Sequence, residues 1–306
     1  MLTIVNRAAA MAMERDESAS GEPLSSRSLS LDLQAVAYEE LGETPQLKRD
    51  TVHELRKLIS AEQGLRCPTD DAFLVKFLRA RKYRVDEAFS TIRKYFRFRQ
   101  LHREIFDNLL PSRIMFDELT RQSKMLRVLE ERDHHGRLIA ILKAGVWSPD
   151  VCNLNEVFRA SVVIGEFCML DEATQVAGVV GVLDLEGVSI KHFRHCTPSL
   201  IKMFTQFAQD CYPIRMKGLY ITNIPPIFDI IYSVAKLFIK KKLLNRIHFI
   251  GRDYEKLHKL IPRERLPEEY DGKLRNYDYD DFERRLQSME DFFVELGEYG
   301  YREQQA

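Results

Sequence analysis

Four basic residues stand in two pairs around the most apolar stretch of the chain, Arg215 and Lys217 before it, Lys242 and Arg246 after it. Arg215 and Lys217 stand two apart in a predicted strand and so point to one side, while Lys242 and Arg246 stand four apart just after the apolar helix, so that two basic pairs flank it. Such a cluster beside an apolar element suits the phosphates of an anionic lipid headgroup, at about 1 kcal/mol per basic residue near a membrane surface. Acid–base chemistry has weaker candidates. Asp184 and Glu186 lie near His192 and His195, but no G-x-S-x-G elbow, Walker loop, H-E-x-x-H or G-x-G-x-x-G accompanies them. Asp184-Leu185-Glu186-Gly187 reads as the end of a strand, and no catalytic residues are expected.

The stretch between the basic pairs, Ile227 to Ile239, is interrupted only by Asp229, Ser233 and Lys236. It falls well short of the ~20 apolar residues that span a bilayer. A surface helix keeps a polar back, and this one does not, so both of its faces need a non-aqueous neighbour. A fully buried crossover helix would satisfy that requirement. So would a lid that covers a lipid pocket when closed and turns its outer face onto a membrane when open. The charge placed around it, with Lys240 and Lys241 adding to the two pairs, favours the lid.

Whole-chain properties narrow the field. Lys plus Arg and Asp plus Glu are 46 each in 306 residues, so the chain lacks the basic excess of phosphate-driven nucleic-acid binding, and anion binding must be local. Cys67, Cys152, Cys168, Cys196 and Cys211 are widely spaced with no C-x-x-C pair, which predicts reduced thiols in a cytoplasmic protein with no metal site and no cofactor. Met1 to Met13 lacks the apolar core and cleavage site of a secretory signal. The Ser-rich stretch Ser18 to Ser30 predicts a disordered tail over residues 1–45.

The elements that must position these residues follow from periodicity. Val52 to Glu62 is amphipathic, Thr69 is a candidate N-cap, and Phe73, Leu74, Phe77 and Leu78 mark one helical face. Val85, Ala88, Phe89, Ile92, Tyr95 and Phe96 mark another, giving a helical module over 46–110 whose basic residues read as a solvated face. From there the pattern changes. Met125 to Leu129 and Leu138 to Leu142 flank the turn Asp133-His134-His135-Gly136 and predict a hairpin. A helix over Leu154 to Met169, the run Val179 to Leu183, a helix opening at Thr197-Pro198, the strand Gly218 to Thr222, the apolar helix and the strand Ile247 to Ile250 then alternate. This alternation predicts an α/β fold with a mostly parallel sheet flanked by helices over 111–280, followed by a C-terminal helical tail over 281–306 that includes the amphipathic Phe282 to Phe293.

Five blocks in order resemble the CRAL-TRIO lipid-binding family: "DDAFLVKFLRARKYRVDEAF" from Asp70, "GRLIAILKAGVW" from Gly136, "VLDLEGVSIKH" from Val182, "YPIRMKGLYITNIPPIFDIIYSVAKLFIKKKLLNRIHFIG" from Tyr212, and "LPEEYDGKL" from Leu266. The chain is most similar to the family's α-tocopherol-transfer and retinaldehyde-binding branch. That resemblance implies a closed apolar pocket under a mobile gate helix. It implies that Arg215, Lys217, Lys242 and Arg246 hold phosphatidylinositol bisphosphate, that Phe158, Ser161, Leu183, Phe207, Tyr212, Ile214 and Leu219 line the pocket, and that Phe228, Ile231, Ala235 and Ile239 belong to the gate. Leu237 stands where the family's gate has a proline, Ile250 where it has a histidine, and Asp271 where its closing block has a glycine. The implied function is that of a soluble intracellular carrier, a monomer, that binds a small hydrophobic lipid (tocopherol- or retinoid-like) and exchanges it during transient peripheral contact with anionic membranes. A phosphoinositide-dependent trafficking or signalling adaptor without cargo transfer is the alternative.

Overall fold

The computed structural model describes residues 31–274 and 279–302. The helical module comprises α1 (Leu31–Leu41), α2 (Pro45–Ala61), α3 (Asp71–Ala80) and α4 (Val85–Leu101). Its helices start where side chains satisfy their first amide groups. Thr44 accepts from Leu47 N–H ahead of Pro45, and Asp70 accepts from Phe73 N–H at 3.0 Å. The N-cap of α3 is thus Asp70 and not Thr69; the carboxylate one residue later is the group in reach. The larger correction concerns the expected tail. Residues 1–30 lie outside the described residues, but Leu31–Leu41 form a helix with Ala37 and Leu41 buried. Its length was hidden by a single weak apolar face.

Five strands form the central sheet in the order β2 (Leu126–Val128), β3 (Leu138–Lys143), β4 (Val179–Asp184), β5 (Met216–Thr222) and β6 (Ile247–Gly251). β2 and β3 make the expected antiparallel hairpin, and the other pairs are parallel. The remaining strands, β1 (Leu65–Arg66) and β7 (Gly300–Tyr301), tie the module to the C-terminal segment. That segment is two helices, Tyr279–Gln287 and Glu290–Gly297, broken between them rather than one continuous amphipathic element.

Because side chains alternate across a strand, the central sheet has two distinct faces. Ile139, Ile141, Val180, Val182 and Tyr220 pack against Leu257 and Ile261 and against Leu266 and Tyr270 of the closing block. Asp184 fastens this layer. Its carboxylate accepts from Tyr270 Oη at 3.0 Å, Asn223 Nδ2 at 2.8 Å and Glu186 N–H at 2.9 Å. The opposite face carries Ala140, Leu142, Gly181, Leu183 and Leu219 and looks toward α5 (Leu154–Cys168) and α6 (Pro198–Gln206). The space between is incompletely filled.

Candidate functional site

A cavity of about 610 Å³ lies over this second face. Its floor is Ala140, Leu142, Gly181, Leu183 and Leu219, with Ser161 and Gly165 of α5 and Phe204 of α6 as walls. Gly181 keeps the floor low, since a Cβ there would come within 3.1 Å of Leu219 Cδ1. The interior presents few free polar groups: the Ser161 hydroxyl is donated to Val157 O at 2.8 Å, and burial pushes the Cys168 thiol up to about 12, so it stays neutral.

Arg215, Lys217, Lys242 and Arg246 all line one mouth of this cavity. β4 and β5 place the first pair. Gly178, in a left-handed conformation that glycine tolerates (φ 88°), lets the Arg215 backbone approach so closely that a Cβ would sit 2.4 Å from Arg215 O. Val179 N–H donates to that carbonyl at 3.0 Å. The Arg215 guanidinium donates to Val176 O, and both Arg215 and Lys217 form ion pairs with Glu40 of α1. Burial alone would raise the Glu40 carboxyl. The hydrogen bonds and charges of Lys217 and Arg215 outweigh it and hold the group below the usual glutamate value. Arg246 donates to Met216 O, while Lys242 has no ion-pair partner among the described residues. Burial holds Lys242 below the ordinary lysine value, and the surrounding cations Arg246, Arg81, Lys82 and Arg84 add to that.

The sequence-based assignments divide. Ser161, Leu183, Ile214 and Leu219 line the cavity, and so does Ile239 at the end of the apolar stretch. Phe158, Phe207 and Tyr212 are seated in the core instead, where Phe207 stacks on Tyr212 at 5.3 Å and meets Phe158 edge-on at 5.4 Å. Apolar character marks a residue for burial without saying whether its neighbour is protein or ligand. Phe228, Ile231 and Ala235 are not among the lining residues either. Phe228 packs with Leu185 and Ile221, and Leu183 and Leu219 reach the same cluster from beside the cavity.

The apolar stretch is shorter as a helix than its composition suggested: α7 spans Phe228–Ala235, and a turn follows. Ile230 is 55% exposed and Leu237 74% exposed, so one apolar face is largely uncovered among the described residues. Leu237 N–H donates to Val234 O at 3.2 Å, a bond that proline could not make. The far end is held by the five-residue π-helical turn Phe207–Cys211. Gln209 Nε2 donates to Phe238 O at 2.7 Å, its Oε1 accepts from Lys240 N–H at 3.0 Å, and Asp210 pairs with Lys240. The sequence carried no signal for this latch. Lys82 and Arg84 were also missed: read as part of a solvated face, they line the cavity mouth.

An α/β domain whose sheet floors an apolar cavity with a cationic mouth, preceded by a helical module, defines a ligand-binding class of protein. The chain belongs to the CRAL/TRIO family: the CRAL/TRIO domain matches residues 122–272 and the CRAL/TRIO N-terminal domain residues 43–94. It is 36% identical over 268 residues to the human protein named alpha-tocopherol transfer protein-like, covering 87% of this chain and 78% of that one. It is similar to mouse clavesin-1 (33% over 264 residues, 84% and 73% covered) and rat clavesin-2 (31% over 248 residues, 81% and 76% covered). Among the described residues no helix is long and apolar enough to cross a membrane.

Proposed function

We propose that the chain carries a small hydrophobic lipid in this cavity and exchanges it at membranes containing phosphatidylinositol bisphosphate, as a cytosolic protein that meets the membrane transiently. The observation that carries the reading is the union of two chemistries in one cavity. The floor is aliphatic, and Arg215, Lys217, Lys242 and Arg246 meet at the mouth. A volume of about 610 Å³ falls in the range of sites for a single small ligand. The name of the tocopherol-transfer-like relatives agrees with lipid cargo. Anionic headgroups attract the basic mouth, the exposed Ile230 and Leu237 enter the interface, release of the Gln209 latch lets α7 swing, and lipid passes between cavity and bilayer.

Two variants of the full chain test the two halves. Replacing Arg215, Lys217, Lys242 and Arg246 together by Ala should abolish sedimentation with vesicles containing phosphatidylinositol bisphosphate while leaving circular dichroism unchanged. Undiminished binding would overturn the docking step. Leu183→Arg, which sets a cation on the aliphatic floor, should remove the lipid identified by mass spectrometry of extracts of the purified protein. A folded Leu183→Arg protein that still carries lipid would overturn the cavity assignment. Vesicle binding by wild-type protein with no lipid cargo in any extract would favour the adaptor.

A further inference from the structure

The turn between α3 and α4 brings charge to the cavity mouth from outside the lipid-binding domain. Tyr83 is 5% exposed and anchors this turn, its N–H donating to Leu78 O at 2.8 Å. Lys82 and Tyr83 are both left-handed (φ 52° and 58°), a conformation that costs non-glycine residues energy and survives only where the surroundings dictate it. The side chains of Lys82 and Arg84 thereby reach the same mouth as Lys242 and Arg246.

The charges there are unevenly matched. Arg215 and Lys217 share one carboxylate, that of Glu40. On the other side Lys82 and Lys242 have no ion pair among the described residues, Arg246 has a carbonyl, and Arg84 reaches Glu87 at 3.0 Å across an exposed helix surface. Lys242 therefore sits among Arg246, Arg81, Lys82 and Arg84, while the nearby carboxylates are engaged elsewhere, Asp210 with Lys240 and Arg81 and Glu87 with Arg84. Like charges gathered at the edge of a low-dielectric cavity repel one another and focus the field on any anion that enters. A dianionic phosphate relieves that repulsion, and a water-filled mouth does so only weakly.

We propose that Lys82 and Arg84 form a second phosphate-binding wall, which with Lys242 receives one phosphate of an inositol headgroup while Arg215 and Lys217 receive another. The headgroup then bridges the helical module and the segment after the gate. This rests on the docking reading above and adds to it a basis for preferring two phosphates over one. It also gives Glu40 a role as the carboxylate that occupies the Arg215–Lys217 side until the headgroup displaces it.

The test uses full-length Lys82→Ala/Arg84→Ala protein, both positions being exposed, with Lys82→Arg/Arg84→Lys as the conservative variant and Lys256→Ala as a charge control outside the cavity lining. Binding is measured to phosphatidylcholine vesicles carrying phosphatidylinositol bisphosphate, phosphatidylinositol monophosphate or phosphatidylserine at equal charge, and to soluble inositol trisphosphate by calorimetry. The double-alanine variant should lose roughly tenfold in affinity for the bisphosphate vesicles and the soluble trisphosphate. It should lose far less for monophosphate and serine lipids, and the conservative variant should retain binding. Unchanged bisphosphate binding would overturn the second wall while leaving the docking reading in place. So would an equal loss on every anionic vesicle, or the same loss in Lys256→Ala, because attraction by net charge would then suffice. Loss confined to the soluble trisphosphate, with wild-type protein ignoring all vesicles, would uphold the wall and overturn membrane docking. Binding of neither probe by wild-type protein would overturn both.

Discussion

Gly181 shows how one missing Cβ decides what the sheet can do. In a strand this apolar, valine would ordinarily be favoured, since β-branched side chains pack well on a pleated surface. Here a side chain would press on Leu219 and fill the floor of the cavity. Gly181→Val should therefore fold, with a stability change within about 1–3 kcal/mol because flanking side chains must shift, yet co-purify with much less lipid than wild-type protein. Quantitative lipid extraction and a thermal melt check the two parts; full lipid loading would place the ligand elsewhere. Asp271 is a contrasting case at the same scale. It adopts the left-handed conformation (φ 53°) where the family's closing block carries glycine, and aspartate tolerates that conformation better than most residues.

At the scale of elements, the proposed gate would be set by what holds the ends of α7. The start of α7 is pinned by buried Phe228, which stacks with Tyr232 at 5.7 Å, while the end is held by both halves of one amide, Gln209. Two neutral hydrogen bonds contribute about 1–3 kcal/mol together. Gln209→Leu keeps the volume and removes both bonds, so the closed gate should lose about that much stability relative to the open one. Fluorescent-lipid transfer between vesicles, followed by stopped flow, should then run faster in Gln209→Leu, with little change in global melting. An unchanged rate would mean that Gln209 only trims the loop. The π-helical turn that presents Gln209 interrupts the end of α6, and such interruptions in otherwise regular helices recur at functional sites.

The whole molecule is joined across its two units by buried charge. Arg79, 1% exposed, donates to Glu43 at 2.7 and 2.9 Å, to Gln175 Oε1 at 2.8 Å and to Glu172 at 3.0 Å, so the module and the lipid-binding domain share one guanidinium. Lys76 and Glu166, likewise buried, pair at 3.2 Å. Arg79→Leu leaves Glu43 without its partner and should destabilise the protein by about 3–5 kcal/mol in urea unfolding. Burial would raise the Glu43 carboxyl, but Arg79 outweighs it and holds the group below its ordinary 4.5. A carboxylate whose folded value is depressed stabilises the fold at pH above its unfolded value, and that contribution disappears as pH falls through the folded one. Wild-type stability should thus decline below about pH 5 more steeply than that of Arg79→Leu. Parallel slopes in the two proteins would assign the acid sensitivity to other groups.

Local pattern alone determined most of the elements. Helical and two-residue periodicities marked α2 to α6 and the central strands, and Thr197-Pro198 marked the start of α6, because each of these signals lies within a few residues of chain. The tertiary structure decided which apolar side chains meet protein and which meet empty space. Phe158, Phe207 and Tyr212 carry the same hydrophobic signal as Leu183 and Leu219, but they pack on one another while the second pair faces the cavity. It alone brought Glu40 to Arg215, a contact between residues 175 positions apart, and Lys82 and Arg84 to Lys242. A cavity is defined by atoms that fail to meet, and its charge by groups converging from distant segments. Neither is a property of any one stretch of chain, so the share of Lys82 and Arg84 in the cationic mouth follows only from the docking of the helical module against the sheet.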